Sequence, residues 1–166
     1  MATGNFGFGA MTKSALGNPK QLNNSKNVNK EIILRVTDII LDEHACRITD
    51  LDQIDVPSRF ILNLRVSKCG GVLNTIAIAE YAFAKGFRVI IGAQVGESSL
   101  LTRAATLVVN ALSQKPLAQE GAYGTNLLAH DLVEEVLQFD NKGELKLPLE
   151  KDAIGFGNVI WNESAS

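Results

Sequence analysis

The chain has 166 residues, of which 46% are hydrophobic, and this length and composition suit one domain with an apolar core. Its net charge of −2 gives no electrostatic case for binding nucleic acid, because proteins that do so usually carry a strong basic excess. No basic N-terminal segment precedes an apolar stretch, and no apolar run is long enough to span a membrane. The two cysteines, Cys46 and Cys69, match no metal-binding spacing and are read as reduced thiols. We therefore predict a soluble, cytoplasmic protein with neither a nucleic-acid nor a membrane partner.

Residues 1–30 differ from the rest of the chain. They are rich in Gly and Asn, contain no Asp or Glu, and show neither helical nor strand periodicity. We predict that residues 1–30 form a flexible leader and that residues 31–166 form the folded domain.

The first two predicted strands are separated by a short helix. Ile39 to Leu41 is an apolar stretch, and Thr49 with Asp52 three residues later predicts a capping box at the start of that helix. The next stretch, Phe60 to Val66, is too continuously apolar for a strand with one face in water. A buried second strand is therefore predicted.

Two longer helices and two further strands follow. The helix after the second strand is predicted to end at Gly86, in the C′ position that favours glycine. Its core-facing side is predicted to consist of Leu73, Ile76, Ala77, Tyr81 and Ala84. Val89 to Ile91 is the third strand, and a helix that is apolar almost all round runs from Leu100 to Leu112. A weaker fourth strand covers Leu117 to Glu120.

Strand, polar loop and helix thus repeat at intervals of about 25–30 residues, as in consecutive βαβ units. The segment after the fourth strand and the loop that follows it instead predicts a hairpin that turns at Asp140 to Gly143. The fold class is therefore α/β with a parallel sheet. Periodicity does not decide between a doubly wound sheet and a barrel. The side chains at the strand ends favour a partial parallel (β/α)₈ barrel, made of about its last four units plus the C-terminal hairpin.

The order of motifs between Leu62 and Ala105 is the most specific feature. It runs Lys-x-Gly-Gly, a helix, Gly, a strand and then Gly-x-x-x-x-Glu-Ser, and Asp42 ends an earlier buried strand. This order resembles the C-terminal barrel of the enolase superfamily, and the mandelate racemase and muconate-lactonizing branches are the nearer relatives. The resemblance covers roughly residues 31–160. It implies Mg²⁺-assisted removal of the proton α to the carboxylate of a small substrate, leading to racemisation, epimerisation, cycloisomerisation or dehydration.

The resemblance also implies roles for individual residues. Asp42 matches the Mg²⁺ ligand at the fifth barrel strand, whereas strand alternation is expected to turn Glu43 away. Arg65 stands where the sixth strand commonly carries a catalytic Lys, and an arginine stays protonated and can only orient or stabilise an anion. Lys68 is a second candidate catalytic residue, and Glu120 matches an acid that hydrogen-bonds the enediolate. The predicted substrate-binding residues are Asn63, Gln94 and Glu97.

Each of these residues also has a structural interpretation. Asp42 could be a turn residue, and Arg65 could form a structural ion pair with Glu97 or Asp42. Glu97 could cap the helix that follows it, and Glu120 could be a solvated strand-end acid. Gly70-Gly71 could cradle an anion before a helix, although close packing of strand and helix is the simpler explanation.

In the family, a capping domain, four barrel strands, a Lys-x-Lys motif and two more Mg²⁺ ligands precede the fifth-strand acid, whereas 41 residues precede Asp42. We therefore expect weak Mg²⁺ binding and no activity from this chain alone. The alternative is a non-catalytic barrel remnant that acts through self-association or pairing with a separate front half. A third hypothesis is a small anion-binding α/β module. Exposed strand edges and an apolar inner face predict a homo-oligomer or a complementing barrel half as partner.

Overall fold

The computed structural model describes residues 38–44, 46–145, 156–157 and 159–163. Within these ranges one parallel sheet contains the strands β1 (Ile39–Leu41), β2 (Phe60–Arg65), β3 (Arg88–Gly92) and β4 (Ala118–Gln119). The strands lie side by side in chain order, β1-β2-β3-β4. The predicted α/β class and parallel sheet are confirmed. The predicted leader, residues 1–30, and its boundary at residue 31 lie outside the described residues.

In the part of the chain that the structure describes, three α-helices connect or follow the strands: α1 (Ile48–Leu51), α2 (Val72–Lys85) and α3 (Ser99–Ala111). Short 3₁₀ turns cover Pro57–Arg59 and Gly124–Asn126. In the described part of the chain, no helix is long and apolar enough to cross a membrane.

The start of α1 differs from the prediction. The helix begins at Ile48, so Thr49 lies inside it and cannot be its N-cap. The Asp50 carboxylate instead accepts a hydrogen bond from the backbone N–H of Arg47, at 3.1 Å. Leu51, in the same helix, is buried in the core.

Strand side chains alternate between a side covered by helices and an inner side. The helix-covered side carries the almost fully buried core residues Leu62, Leu64, Val89 and Ile91, which belong to one cluster with the alanines of α2 and α3. The inner side carries Ile40, Asn63 and Arg65, and Ile40 is 44% exposed. The strand pairing aligns Arg65 with Gly92, so the carboxyl ends of β2 and β3 lie level with each other.

The buried face of α2 is not the predicted one. Leu73 is 83% exposed, and Ala77 and Ala84 are also exposed, whereas Ile76 and Tyr81 only pack at the edge of the core. The residues that are buried are Thr75, Ile78, Ala79 and Ala82. These positions follow the i, i+3, i+4, i+7 spacing of a helix face, and their mostly small side chains allow α2 to lie close to the sheet. The C-terminal prediction is confirmed, because Gly86 caps α2 in the left-handed conformation with φ of 87°.

The segment after β4 folds back onto α3. Val133 and Trp161 form an antiparallel bridge, and so do Phe139 and Leu145. The N–H of Gly143 donates to the carbonyl of Asp140 at 3.0 Å, so the predicted hairpin turn is confirmed as far as residue 145.

Candidate functional site

The carboxyl ends of the four strands bring together the side chains singled out in the sequence. Each of these residues ends or follows a strand, which places it at the same edge of the sheet. The strand-end cluster, as we name it, consists of Asp42, Arg65, Lys68, Gln94, Glu97 and Glu120. Parallel α/β folds build their sites at this edge.

Asp42 is held by two cations. Arg65 Nη2 donates to Asp42 Oδ2, and Lys68 Nζ donates to Asp42 Oδ1 at 2.9 Å and to the backbone carbonyl of the same residue. The side chains of Arg65 and Lys68 are 16% and 11% exposed, respectively. Because water screens these charges less than on an open surface, the ion pairs are stronger than ordinary surface pairs. Of the two ion pairs considered for Arg65, the structure contains the one with Asp42.

Arg65 also links β1 to the loop after β3. Its Nη1 donates to Gln94 Oε1 at 2.9 Å and lies 3.9 Å from Glu43 Oε1. Glu43 was expected to turn away, and that expectation is wrong. Strand alternation applies only within a strand, and β1 ends at Leu41, so the turn that follows is free to point Glu43 toward Arg65.

Glu97 is a buried acid at the centre of the loop after β3. It is 7% exposed, and its Oε2 accepts a hydrogen bond from the backbone N–H of Gln94 at 2.8 Å. Burial raises the pKa of Glu97; the bond from Gln94 and the charge of Arg65 oppose this, and the charge of Glu120 adds to it. The suggested helix-capping role is wrong, because the first N–H of α3, at Ser99, donates to Asp131 Oδ2 at 2.9 Å.

The side chain of Glu120 lies at the end of β3. Its Oε2 accepts a hydrogen bond from the backbone N–H of Ala93 at 3.1 Å, and its own N–H donates to the carbonyl of Ile91 at 2.9 Å. Glu120 is therefore half-buried and positioned, which differs from a freely solvated strand-end acid.

Asn63 occupies the inner side of β2, two residues before Arg65. It is 8% exposed, and its Oδ1 has no hydrogen-bond partner among the described residues. A Cβ atom placed on Gly92 would lie 1.9 Å from Asn63 Oδ1. A larger residue at position 92 would therefore clash with Asn63, so Gly92 of the Gly-x-x-x-x-Glu-Ser motif serves packing beneath the cluster.

A cavity of about 560 Å³ opens beside Glu97. It lies between the loop after β3 and residues 128–132, and Leu101, Leu128 and Leu132 provide apolar walls. These walls lower the local polarity around the Glu97 carboxyl group, which agrees with the direction of its pKa shift.

The described residues do not fit a Mg²⁺ site. Magnesium requires several converging oxygen ligands, but nowhere in residues 38–44, 46–145, 156–157 or 159–163 do three His, Cys, Asp or Glu side chains converge to hold a metal. Both carboxylate oxygens of Asp42 already accept hydrogen bonds from positively charged groups. A metal ion bound there would also lie next to two like charges.

Sequence reasoning missed the residues that anchor the segment after β4. Asp131 is 5% exposed and accepts hydrogen bonds from the N–H and, at 2.7 Å, the hydroxyl of Ser99. The buried Arg103 donates to Glu135 Oε2 at 3.0 Å and to the carbonyl of Phe156 at 3.1 Å. No local sequence pattern marks these contacts, because they join residues 32 and 53 positions apart.

Comparison with known proteins defines the class. Residues 19–164 match the family model described as "Enolase C-terminal domain-like". A search of curated proteins found no match. Among solved structures, an enolase-superfamily member from Listeria innocua Clip11262 has 23% identity and a TM-score of 0.59, covering 78% of this chain and 33% of that one. Muconate lactonizing enzyme from Pseudomonas putida has 24% identity and a TM-score of 0.64, covering 81% and 36%. Another muconate lactonizing enzyme structure has 25% identity and a TM-score of 0.61, covering 77% and 34%.

The fold and the strand-end cluster thus define a piece of a parallel (β/α)₈ barrel, with four strands in chain order and helices on one side. The chain spans about a third of the length of the solved relatives. Because the family match covers most of its residues, the chain belongs to the enolase superfamily, as a portion of the C-terminal barrel domain.

Proposed function

We propose that this chain is part of a cytoplasmic enolase-superfamily enzyme that removes the proton α to the carboxylate of a small substrate. The product would be that of a racemase or epimerase, a cycloisomerase or a dehydratase. The observation that carries this proposal is the strand-end cluster, in which cationic and acidic side chains meet at the carboxyl ends of the barrel strands. Family membership supports the reaction class, and the free thiols of Cys46 and Cys69 support a reducing compartment.

In this proposal the residues divide between orienting and stabilising roles. Arg65 orients the substrate or stabilises the negative charge that develops on its carboxylate, because a guanidinium is a fixed cation with several donors. Glu120, anchored by the N–H of Ala93, hydrogen-bonds the enediolate through its other oxygen. Asn63, Gln94 and Glu97 line the same edge as substrate-binding residues. Mg²⁺ supplies charge stabilisation where it is bound in this family, but no step is assigned to it here, since the described residues do not fit it.

Neither Arg65 nor Lys68 is free to act as the general base, so we propose that the 166-residue chain by itself is inactive. Arg65 does not lose its proton at neutral pH, and the amine of Lys68 is directed to Asp42 and to the backbone carbonyl of Asn63. General-base catalysis commonly contributes about 10²–10⁴-fold to a rate, and that factor is missing.

Proton NMR in deuterated water tests both parts of the proposal. Hydroxy acids, amino-acid derivatives and dipeptides are incubated with the chain, with and without Mg²⁺, and α-deuteration is followed. The wild-type chain is expected to show no exchange, whereas Arg65→Lys, which restores an amine that can act as a base, is expected to show slow exchange. Metal-dependent exchange by the wild type that Asp42→Asn abolishes would overturn the inactivity. No exchange by Arg65→Lys with any substrate would count against the reaction class.

A second candidate function is a non-catalytic barrel remnant that associates with itself or with a separate front half. The exposed inner face favours it, since Ile40 is 44% exposed and β1 has no further strand beside it among the described residues. Strand edges and apolar faces left open in this way invite pairing. Sedimentation of the chain at micromolar concentration is expected to show a dimer or larger species, and a stable compact monomer would contradict it.

A further inference from the structure

We propose that Arg65 and Lys68 replace a divalent metal ion in this chain, with Asp42 as their counter-ion, and that the site binds a carboxylate without metal. The inference deepens the proposed function and depends on it for the class of ligand. Its test measures metal binding, carboxylate binding and stability, so its outcome is independent of turnover.

The contacts of Asp42 are those of a counter-ion. One cation donates to each carboxylate oxygen, and Lys68 donates in addition to the backbone carbonyl of Asp42. Lys68 Nζ also donates to the backbone carbonyl of Asn63 at 3.3 Å, so its ammonium group is fixed between β1 and β2. Each of these bonds brings a positive charge to the carboxylate, and those charges disfavour a metal cation at the same oxygens.

The charges agree with a replacement of the metal. Arg65 and Lys68 together carry two positive charges, the same as one divalent cation, and Asp42 neutralises one of them. Glu43 lies 3.9 Å from Arg65, but its side chain is 39% exposed, so water screens it. Glu97 is buried, and burial raises its pKa and so favours its neutral form, while Glu120 accepts a hydrogen bond from the backbone N–H of Ala93.

The position of the two cations suits a small anionic ligand. Both lie on one edge of the sheet and each keeps a fraction of its side chain in solvent, at 16% for Arg65 and 11% for Lys68. The three N–H donors of Lys68 are taken by Asp42 and Asn63, so Lys68 contributes its charge. The N–H groups of Arg65 not bonded to Gln94 or Asp42 would supply the charge-assisted hydrogen bonds to a carboxylate. In this arrangement the substrate carboxylate would meet fixed cations where a metal ion is expected in the family.

The first measurement needs no variant. Manganese(II), which has the same charge as Mg²⁺ and a strong electron paramagnetic resonance signal in water, is titrated into the wild-type chain. The free-ion signal is expected to persist at equimolar protein. Loss of the signal at stoichiometric protein, and its recovery in Asp42→Asn, would overturn the proposal.

The second measurement is the melting temperature in EDTA and in millimolar Mg²⁺. Asp42→Asn is expected to melt about 4–8 °C below the wild type in both solutions, because two partly buried cations lose their counter-ion. Asp42→Asn/Lys68→Met, which rebalances the charge, should recover at least half of that loss. Asp52→Asn is the matched control, since Asp52 forms an exposed pair with Lys85 at 3.1 Å, and it should shift melting by less than about 2 °C. A melting temperature of the wild type that rises with Mg²⁺, or an Asp42→Asn variant as stable as the wild type in EDTA, would refute the counter-ion role.

The third measurement is carboxylate binding, with succinate as the probe in the presence of EDTA. Calorimetry is expected to show binding that weakens at least about tenfold in Lys68→Met and is unchanged in the control Lys85→Met, an exposed lysine outside the cluster. Succinate binding only after Mg²⁺ is added would overturn the metal-free site. If succinate binds without metal but no substrate shows α-proton exchange in any variant, the proposed reaction fails while the metal-free site stands.

Discussion

Replacing Gly92 by alanine tests the packing beneath the strand-end cluster. The added Cβ would lie 1.9 Å from Asn63 Oδ1, 2.8 Å from its Cγ and 3.0 Å from its Nδ2. These distances are far inside van der Waals contact, and both residues are buried. The backbone at Gly92 does not have a positive φ, so alanine brings no conformational strain of its own. The steric clash with Asn63 is therefore the whole of the expected destabilisation.

The magnitude follows from two opposing effects. Inserting a methyl group into a packed region costs about 1–3 kcal/mol, because Asn63 or the strand must move. Alanine also lowers the conformational entropy of the unfolded chain, which is worth about 0.4–1 kcal/mol in favour of folding. The net loss in Gly92→Ala is expected to be about 1–2 kcal/mol, or roughly 2–8 °C in melting temperature for a chain of this size. In an Asn63→Ala background the clash is gone, so the same change should stabilise by about 0.4–1 kcal/mol.

Urea denaturation of the wild type, the two single variants and the double variant gives the coupling free energy directly. We expect about 1–3 kcal/mol between positions 63 and 92. The reasoning is refuted if Gly92→Ala is as stable as the wild type. It is also refuted if the loss persists unchanged when Asn63 is alanine, because the cause would then lie elsewhere.

Two further predictions concern buried acids. Burial raises the pKa of Glu97 above its unfolded value, so between those two values the folded state binds more protons and the free energy of unfolding falls as pH rises. In urea titrations from about pH 4 to pH 8, Glu97→Gln should lack that fall, and a difference from the wild type that is constant with pH would contradict this. Asp131→Ala should lose about 3 kcal/mol of stability and the hydrogen-exchange protection of the Ser99 amide, since that N–H loses a charged acceptor. Asp140→Ala, which alters an exposed hairpin carboxylate, is its control, and retained protection at Ser99 in Asp131→Ala would show that another group caps α3.

The strands could be predicted because parallel strands buried on both sides appear as continuous apolar runs. Phe60–Arg65 and Arg88–Gly92 agree with the predicted ranges to within one residue at each end. The alternation of strands and helices also predicts that the carboxyl ends of the strands share one edge of the sheet. It therefore predicts that Asp42, Arg65 and Glu120 group together at that edge. These features depend only on the alternation of strand and helix along the chain, so local sequence is enough.

The face of α2 could not be predicted in the same way. Apolar residues surround most of this helix, so two overlapping stripes satisfy the helical spacing. The stripe predicted from the sequence, with Leu73, contains the larger side chains. The sheet instead packs against Thr75, Ala79 and Ala82, whose small side chains let the helix lie close to Leu62 and Leu64. Tertiary packing therefore decided which stripe became core.

The position of Asp42 could be predicted from the sequence, but its partners could not. Its position at the end of a strand follows from the sequence. Whether its partners are metal ions or side chains depends on Arg65 and Lys68, which are 23 and 26 residues away. Sequence spacing does not show which way two long, flexible side chains turn. For that reason, the sequence left the ion pair between Arg65 and Asp42 as one of several possible roles of Arg65.

The order of the strands also has a consequence for how the molecule assembles in time. Each strand pairs with the next one along the chain, so pairing needs no segment that has yet to leave the ribosome. The first turn of α3 differs in this respect, because the N–H of Ser99 donates to Asp131, which is synthesised 32 residues later. During synthesis, β1 to β3 can therefore form while that turn still lacks its acceptor. The first turn of α3, which directly follows the loop that holds Glu97, gains this acceptor only once residue 131 has been synthesised.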